Sequence, residues 1–137
     1  VDPERKGDYR SIGEAPAGFD VVLLLEVIEH LPFEEGLSLL SGIRGILKPG
    51  GRLIASTPNV YCPWQYLEDA THRTPYSYEC LGGAMLLSGL RVESIHRAYN
   101  ASLGERALRR LTAPLHRWMG IDYARTVFAV ARKDADG

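Results

Sequence analysis

The stretch ILKPGGRLIASTPN, residues 46–59, ends one kind of sequence pattern and begins another. Lys48 places a cation where the dipole of a helix is negative, and Pro49 cannot continue a helix. The two glycines that follow can adopt the positive φ values that reverse a chain. The residues RLIAST are then typical of a strand, which Pro58 ends. The stretch therefore predicts a helix that stops at a tight turn and leads directly into a strand.

Another strand and a helix precede this turn. FDVVLLLE, residues 19–26, contains an uninterrupted apolar run, which is typical of a strand buried on both faces, as in parallel sheets. Over residues 33–47, apolar residues recur at spacings of three and four, which predicts an amphipathic helix; they are Leu37, Leu40, Ile43 and Leu47. Strand, helix, turn and strand form a βαβ unit, which implies a right-handed crossover and a parallel pair of strands.

The segment after the second strand has few periodic features. Residues 59–75 predict a long loop, and a loop of that length in a compact domain is usually functional. A helix is expected over residues 76–88, with Leu81, Met85 and Leu86 facing inward and with Gly89 as its cap.

Three further elements complete the chain. A strand is expected over residues 90–99, and a closing strand over 124–133. Between them, residues 102–119 predict a basic helix that Pro114 should kink or divide. This order of elements predicts an α/β domain of about four strands, with a mixed sheet whose last strand is antiparallel and with helices on both faces.

The composition is that of an ordinary globular protein. The 137 residues are 45% hydrophobic and 24% charged, and the formal net charge is −1. This length suits a single domain over residues 1–137, and the charge balance gives no basis for a nucleic-acid partner. No apolar run is long enough to span a bilayer and no signal peptide is visible, so stable membrane insertion is not expected.

The cysteines give no sign of a metal centre. Cys62 and Cys80 have no paired-ligand spacing, and adding His72 produces no known zinc pattern. We therefore expect reduced thiols, a cytoplasmic location and no bound metal. The chain begins with Val rather than Met, which suggests a fragment or a processed product.

Four motifs follow one another in a fixed order: FDVVLLLEVIEHL (19–31), LKPGGRLIASTPN (47–59), DATHRTPYS (69–77) and the helix end LLSGL (86–90). Together they resemble the class I S-adenosylmethionine-dependent methyltransferases, and within them the small-molecule O-methyltransferase-like branch. The resemblance covers about residues 7–131. It implies a Rossmann-like domain, S-adenosyl-L-methionine as cofactor, and methyl transfer to a small-molecule acceptor, with oxygen favoured as the acceptor atom.

One part of the family pattern is missing from the sequence. There is no Gly-x-Gly-x-Gly stretch, and only about 18 residues precede the strand that resembles the family's fourth. We therefore expect an N-terminally truncated domain in which strand 20–26 is an exposed edge, open to a homodimer or a partner chain. The alternative function is a non-catalytic remnant or accessory subunit that binds a partner through this edge. A nicotinamide oxidoreductase is disfavoured because no dinucleotide fingerprint is present.

The resemblance implies cofactor-binding residues at the end of the first strand, because open α/β sheets bind ligands outside the carboxyl ends of their strands. Leu24, Leu25 and Glu26 would line the sulfonium and amino-acid region. The alternative is core packing for the leucines and a solvated or capping role for Glu26. Asp8 would accept from the adenine amino group with Tyr9 beside the base, or both are simply polar loop residues.

The next residues, Glu29 and His30, would face the substrate in the family. His30 could take a hydroxyl proton during methyl transfer, because the ordinary pKa of an imidazole lies near neutral pH. The alternative is that the pair braces the loop and the next helix by hydrogen bonds.

The loop motif DATHRTPYS supplies a second candidate set. Asp69 could fix the tautomer of His72, which makes His72 the other candidate general base. Arg73 could steer an anionic substrate group. The alternative is a self-bonded loop in which Asp69 and Thr71 satisfy backbone amides.

The basic helix over 102–119 combines arginines with apolar residues: Arg106, Arg109, Arg110 and Arg117 with Leu108, Leu111, Leu115 and Trp118. Such a helix can rest on a membrane or an acidic partner, but it is more often the solvated outer helix of a domain, and that interpretation is favoured. His96 and His116 have no sequence partners and are expected to be structural or exposed.

Overall fold

The computed structural model describes residues 9, 11–98 and 102–135. Asp8, which was expected to contact adenine, lies outside the described residues. The helices and strands are β1 (Phe19–Leu25), α1 (Phe33–Ile46), β2 (Leu47–Pro58), α2 (Pro63–Leu67), α3 (Tyr78–Leu87), β3 (Arg91–Ala98), α4 (Leu103–Met119) and β4 (Thr126–Arg132), with 3₁₀ turns at Ile12–Glu14 and Ile28–His30. The expected elements are therefore confirmed. The expected loop over 59–75 also contains one short helix, α2.

The four strands form one sheet in the order β1-β2-β4-β3. β1 and β2 are parallel, and β4 is antiparallel to both of its neighbours. The α/β class, the mixed sheet and the antiparallel last strand are confirmed. Because β4 returns between β2 and β3, the carboxyl ends of β1, β2 and β3 meet at one edge of the sheet, where β4 begins.

The Lys-Pro-Gly-Gly segment is built differently from the expected separate turn. α1 ends at Ile46 and β2 starts at Leu47, so the segment lies inside the strand as an irregularity. The pairing with β1 jumps from Phe19↔Leu47 to Val21↔Arg52, and Gly50 takes a φ of 79° within the jump. Lys48 donates to the Asp20 carboxylate at 2.7 Å across this irregularity. Between these two pairs β2 has more residues than β1, and the additional residues form a bulge within the strand instead of a separate loop.

One face of the sheet carries the core. Leu53 and Ala129 on neighbouring strands are fully buried there beneath α1 and α3. From α3, Leu81 and Met85 point into this core as expected. The inward position expected for Leu86 is wrong, because Leu86 is exposed by 59%, whereas Leu81 and Met85 are fully buried.

β1 is an edge strand of the described sheet, as expected, but its burial on both faces is wrong. Leu24 faces the core, whereas Val21, Leu23 and Leu25 alternate onto the other face and are exposed, Leu23 by 60%. The apolar run indicated a buried strand correctly on one face only, because α1 and α3 cover that face and no described element covers the other at β1.

α4 differs from the expected outer helix in two ways. It continues through Pro114 as one element, so the expected division is wrong. Its large apolar side chains point outward, with Leu111 exposed by 81% and Trp118 by 83%, whereas a solvated outer helix turns such residues inward. Within the described residues, no helix has the length and apolar character needed to cross a membrane.

The register jump in β2 predicts a strict requirement for glycine at position 51. A Cβ there would lie 2.9 Å from the Lys48 carbonyl oxygen and 3.0 Å from that of Phe19, and backbone atoms cannot move aside cheaply. Gly51→Ala should therefore lower the free energy of unfolding by about 1 to 3 kcal/mol in urea unfolding.

Gly45 in α1 offers the matched control, since a Cβ there meets nothing within 4 Å. Gly45→Ala should raise stability by about 0.5 to 1 kcal/mol, because alanine loses less entropy than glycine in a helix. A Gly51→Ala variant as stable as the unmodified chain would contradict the close approach of β1 and β2.

Candidate functional site

The site begins where β1 ends. Glu26 has a φ of 51°, in the left-handed region that non-glycine residues rarely adopt. Ser56, the neighbouring residue on β2, holds it there: the Glu26 amide donates to the Ser56 carbonyl at 3.1 Å, and the Ser56 hydroxyl donates to Glu26 Oε1 at 2.7 Å. Strain of this kind persists only where the surroundings fix it, and it concentrates at functional sites. The Glu26 carboxylate is therefore held in a set position at the carboxyl edge of the sheet.

The 3₁₀ turn Ile28–His30 buries a carboxylate. Ile28 and Glu29 are both fully buried, and neither Glu29 oxygen has a hydrogen-bond partner among the described residues. Burial raises the pKa of Glu29 above its ordinary 4.5, and the negative charge of Glu26 adds to the rise. The backbone amide of Glu29 itself, and after it the Thr57 hydroxyl, oppose this rise in part, although neither has the geometry of a full hydrogen bond. A buried acid without partners is costly and indicates a functional site.

Backbone hydrogen bonds attach the loop after α2 to this turn. The amides of Arg73 and Thr74 both donate to the Glu29 carbonyl, at 2.8 and 3.0 Å. The Thr74 hydroxyl donates to the Leu31 carbonyl at 2.6 Å. These bonds bring His72 beside His30, with their ring centroids 4.9 Å apart. The two candidate bases, which lie far apart in the sequence, thus belong to one site.

The tautomer of His72 follows from its partner. Nδ1 lies 2.7 Å from the carbonyl oxygen of Tyr66. A carbonyl only accepts, so Nδ1 carries a proton, and in the neutral ring Nε2 is the nitrogen with the lone pair. The expected carboxylate partner, Asp69, does not hold this ring.

Asp69 instead acts on His30, through Thr71. The Thr71 hydroxyl donates to Asp69 Oδ1 at 2.7 Å, so its oxygen accepts from Nδ1–H of His30 at 2.8 Å. In the neutral ring, the lone pair of His30 is therefore also on Nε2, which lies 3.9 Å from Glu29 Oε1. Asp69 accepts from the Thr71 amide as well, and its two bonds from Thr71, the hydroxyl first, lower its pKa. Asp69 thus accepts from a backbone amide, as the alternative expected, and at the same time orients His30 through Thr71.

The same cluster offers a metal-binding geometry. Glu29, His30 and His72 each place one ligand atom within 4.8 Å of the others. A carboxylate and two imidazoles, each imidazole held through its other nitrogen, form a donor set that suits a divalent transition metal. The two cysteines are not part of this group. Both are free thiols, Cys62 buried and Cys80 exposed.

The remaining sequence candidates are more dispersed. Tyr9 and Arg73 are exposed, and Leu25 is open at the end of β1, while Leu24 packs in the core. His96 pairs only with the nearby Ser94 among the hydrogen bonds found on β3.

Sequence reasoning missed the residues that orient the site. Ser56 and Tyr66 act through a hydroxyl and a main-chain carbonyl, and no residue-type pattern marks either role. The available signal was the Glu-His pair directly after a buried strand, together with a lone histidine in a long loop.

The fold and the position of this cluster define the class of the chain. An α/β sheet that gathers polar groups at the carboxyl ends of its parallel strands is a Rossmann-like, ligand-binding arrangement. Residues 2–95 match a family model described as a methyltransferase domain. The chain belongs to that family.

Relatives and solved structures agree with this assignment. The ubiquinone biosynthesis O-methyltransferase of Stutzerimonas stutzeri is 41% identical over 58 residues, which span 38% of this chain and 24% of that enzyme. A SAM-dependent methyltransferase from Archaeoglobus fulgidus has a TM-score of 0.66 at 21% identity, over 86% of this chain and 61% of that one. Magnesium protoporphyrin IX methyltransferase from Synechocystis, solved with bound SAM, has a TM-score of 0.54 at 12% identity, over 90% of this chain and 43% of that one. At these identities the structural similarity establishes the fold alone.

The buried carboxylate predicts a pH-dependent penalty. Because the pKa of Glu29 is raised in the folded state, folded protein binds more protons than the unfolded chain just above pH 4.5, so this group's contribution to stability falls as the pH rises. Glu29→Gln should remove this pH-dependent loss of stability. Its free energy of unfolding should therefore rise relative to that of the unmodified chain as the pH rises, by about 1.4 kcal/mol for each unit by which the Glu29 pKa is raised. Urea unfolding between about pH 4 and pH 8 measures the difference.

Glu35→Gln is the matched control, because Glu35 is an exposed carboxylate on α1. It should leave the pH dependence unchanged. Parallel stability curves for Glu29→Gln and the unmodified chain would show that the Glu29 carboxylate is not buried without partners.

Proposed function

We propose that this domain transfers a methyl group from S-adenosylmethionine to a hydroxyl oxygen of a small molecule. Two observations support the proposal together: membership of the methyltransferase domain family, and two histidines whose Nε2 lone pairs meet beside a buried carboxylate at the carboxyl edge. The pair of histidines supports oxygen as the acceptor atom, because a hydroxyl must lose its proton during methylation and an imidazole nitrogen can take it.

The residues at the end of β1 fit one side of the cofactor. S-adenosylmethionine supplies an electrophilic methyl group on a sulfonium and also carries an ammonium and two ribose hydroxyls. The Glu26 carboxylate, fixed by Ser56, suits the positively charged or hydroxyl groups, and the exposed Leu25 offers an apolar wall. The turn that follows β1, residues 26–30, contains no glycine. A role for Asp8 and Tyr9 at the adenine remains a prediction.

His30 and His72 provide the proton acceptors. The acceptor hydroxyl would donate to one Nε2, which receives the proton as the oxygen–carbon bond forms and the carbon–sulfur bond breaks, leaving a neutral thioether. Glu29 would stabilise the resulting imidazolium, since its Oε1 lies 3.9 Å from His30 Nε2. A divalent cation held by Glu29, His30 and His72 would lower the pKa of the acceptor hydroxyl by another route.

Acceptor specificity and binding test the proposal on this chain. Calorimetry with S-adenosylhomocysteine should give saturable binding that Ser56→Ala weakens, because Glu26 loses its anchor. With S-adenosylmethionine, 3,4-dihydroxybenzoate should be methylated and 3,4-diaminobenzoate should not.

His30→Gln or His72→Gln should lower the rate by about 10² to 10⁴ for whichever ring takes the proton. A metal chelator should lower the rate only if a cation is required.

Thr71→Val gives a positioning test, since it removes the acceptor for His30 Nδ1–H and should shift the pH profile of the rate. His96→Gln on β3 should leave the rate unchanged. Methylation of the diamine in preference to the diol would contradict the oxygen assignment. Absence of cofactor binding, together with association in sedimentation velocity, would favour the alternative that residues 20–26 pair with a partner chain.

A further inference from the structure

α4 lies against the domain on its polar side. The Thr112 hydroxyl is 3.0 Å from that of Tyr123, and the Arg109 guanidinium lies 4.8 Å above the Tyr123 ring. Among the described side chains of α4, Arg109 and Thr112 are the only ones that are not exposed. A helix on the surface of a domain normally buries its apolar stripe, so α4 is inverted relative to that rule.

An apolar face lies next to this side of α4. Leu108, Leu111, Leu115 and Trp118 recur at spacings of three and four residues. All four are exposed, as are Met119 beside them and Leu103 at the start of the helix. A contiguous apolar face of this kind marks an interaction surface. Trp118, at one end, is a residue that favours the boundary between water and lipid.

Positive charge borders this face. Arg106, Arg110 and Arg117 follow one another at spacings of four and seven, so they form one row beside the apolar stripe. Glu105 is the acidic residue of α4, and it is bound at the helix start by the amide and hydroxyl of Ser102, at 2.7 and 2.9 Å. α4 carries four arginines and one acidic residue, in a chain whose net charge is −1.

We propose that α4 docks onto an anionic phospholipid surface, with its apolar face in the headgroup–acyl boundary and its arginines against the phosphates. An exposed apolar stripe beside a basic row is the pattern of an interfacial helix. Arginine stems can lie along the apolar boundary while their guanidinium groups reach the headgroups. A second copy of the chain fits less well, because symmetric pairing of this face brings the same arginine rows close together.

This docking also explains the position of α4 in the fold. α4 joins the end of β3 to the start of β4, where Thr126 pairs with Pro58 at the end of β2. The Asn59 amide donates to the Arg125 carbonyl at 2.9 Å across this junction. A bound bilayer would therefore lie at the same sheet edge as the histidine cluster. If the proposed methyl transfer is correct, the acceptor is an amphiphile that is held in the bilayer.

Vesicle flotation with the chain tests the docking directly. Vesicles of phosphatidylcholine with about 30% phosphatidylglycerol should bind the chain, and pure phosphatidylcholine vesicles should bind it at least tenfold more weakly. Leu111→Glu should abolish binding, because it places a charge in the centre of the apolar face. Arg106→Gln with Arg110→Gln should weaken binding by about fivefold for each arginine.

Leu86→Glu is the matched control, because Leu86 is an exposed leucine on α3. It should bind vesicles like the unmodified chain. Equal binding to both vesicle types, or full binding by Leu111→Glu, would overturn the proposal. Lipid-independent self-association that Leu111→Glu removes would assign the face to a second copy instead. Methylation of water-soluble 3,4-dihydroxybenzoate should survive Leu111→Glu, so failure of the docking is distinguishable from failure of the proposed function.

Discussion

The register between β1 and β2 determines the geometry of everything at the carboxyl edge. The irregularity at Gly50 and Gly51 shifts the pairing so that Leu25 lies opposite Ser56. Ser56 can then hold Glu26 in its left-handed conformation, which directs the chain into the turn containing Glu29. The carbonyl of Glu29 then accepts from the amides of Arg73 and Thr74 in the loop after α2. The Lys-Pro-Gly-Gly segment thus serves the site although it lies at the opposite end of the strand.

The site contains two residues that lower the stability of the fold. Glu29 is buried with both oxygens unpartnered, and Glu26 adopts a strained φ. Burial without partners and backbone strain each reduce the stability of the folded protein, and both residues belong to one short segment after β1. A carboxylate in such a setting interacts strongly with any positive charge that forms nearby, because the surrounding dielectric constant is low. The arrangement therefore suits a reaction in which an imidazole gains a proton, or a cation that two imidazoles share.

Local patterns in the sequence predicted the elements but not the relations between them. Apolar periodicity located α1 and α3, since burial repeats with the helix turn, and it predicted α4 equally well. Periodicity cannot say which side of a helix faces the domain, so the outward face of Leu111 and Trp118 was missed. The meeting of His30 with His72 depends on two loop amides that bind the Glu29 carbonyl. Main-chain bonds of this kind leave no residue-type signature, which is why both histidines could be named separately but not joined.

The protonation state of the two imidazoles tests the central claim most directly. Long-range proton–nitrogen correlation spectra of the side chains, recorded at about pH 8.5, roughly two units above the ordinary pKa of an imidazole, distinguish a protonated from an unprotonated ring nitrogen. Both His30 and His72 should carry the proton on Nδ1 and present a bare Nε2 to Glu29, and Thr71→Val should change the His30 signal alone. A proton on Nε2 of either ring in the unmodified chain would contradict the assembled site, because that nitrogen could then neither accept a proton nor bind a cation.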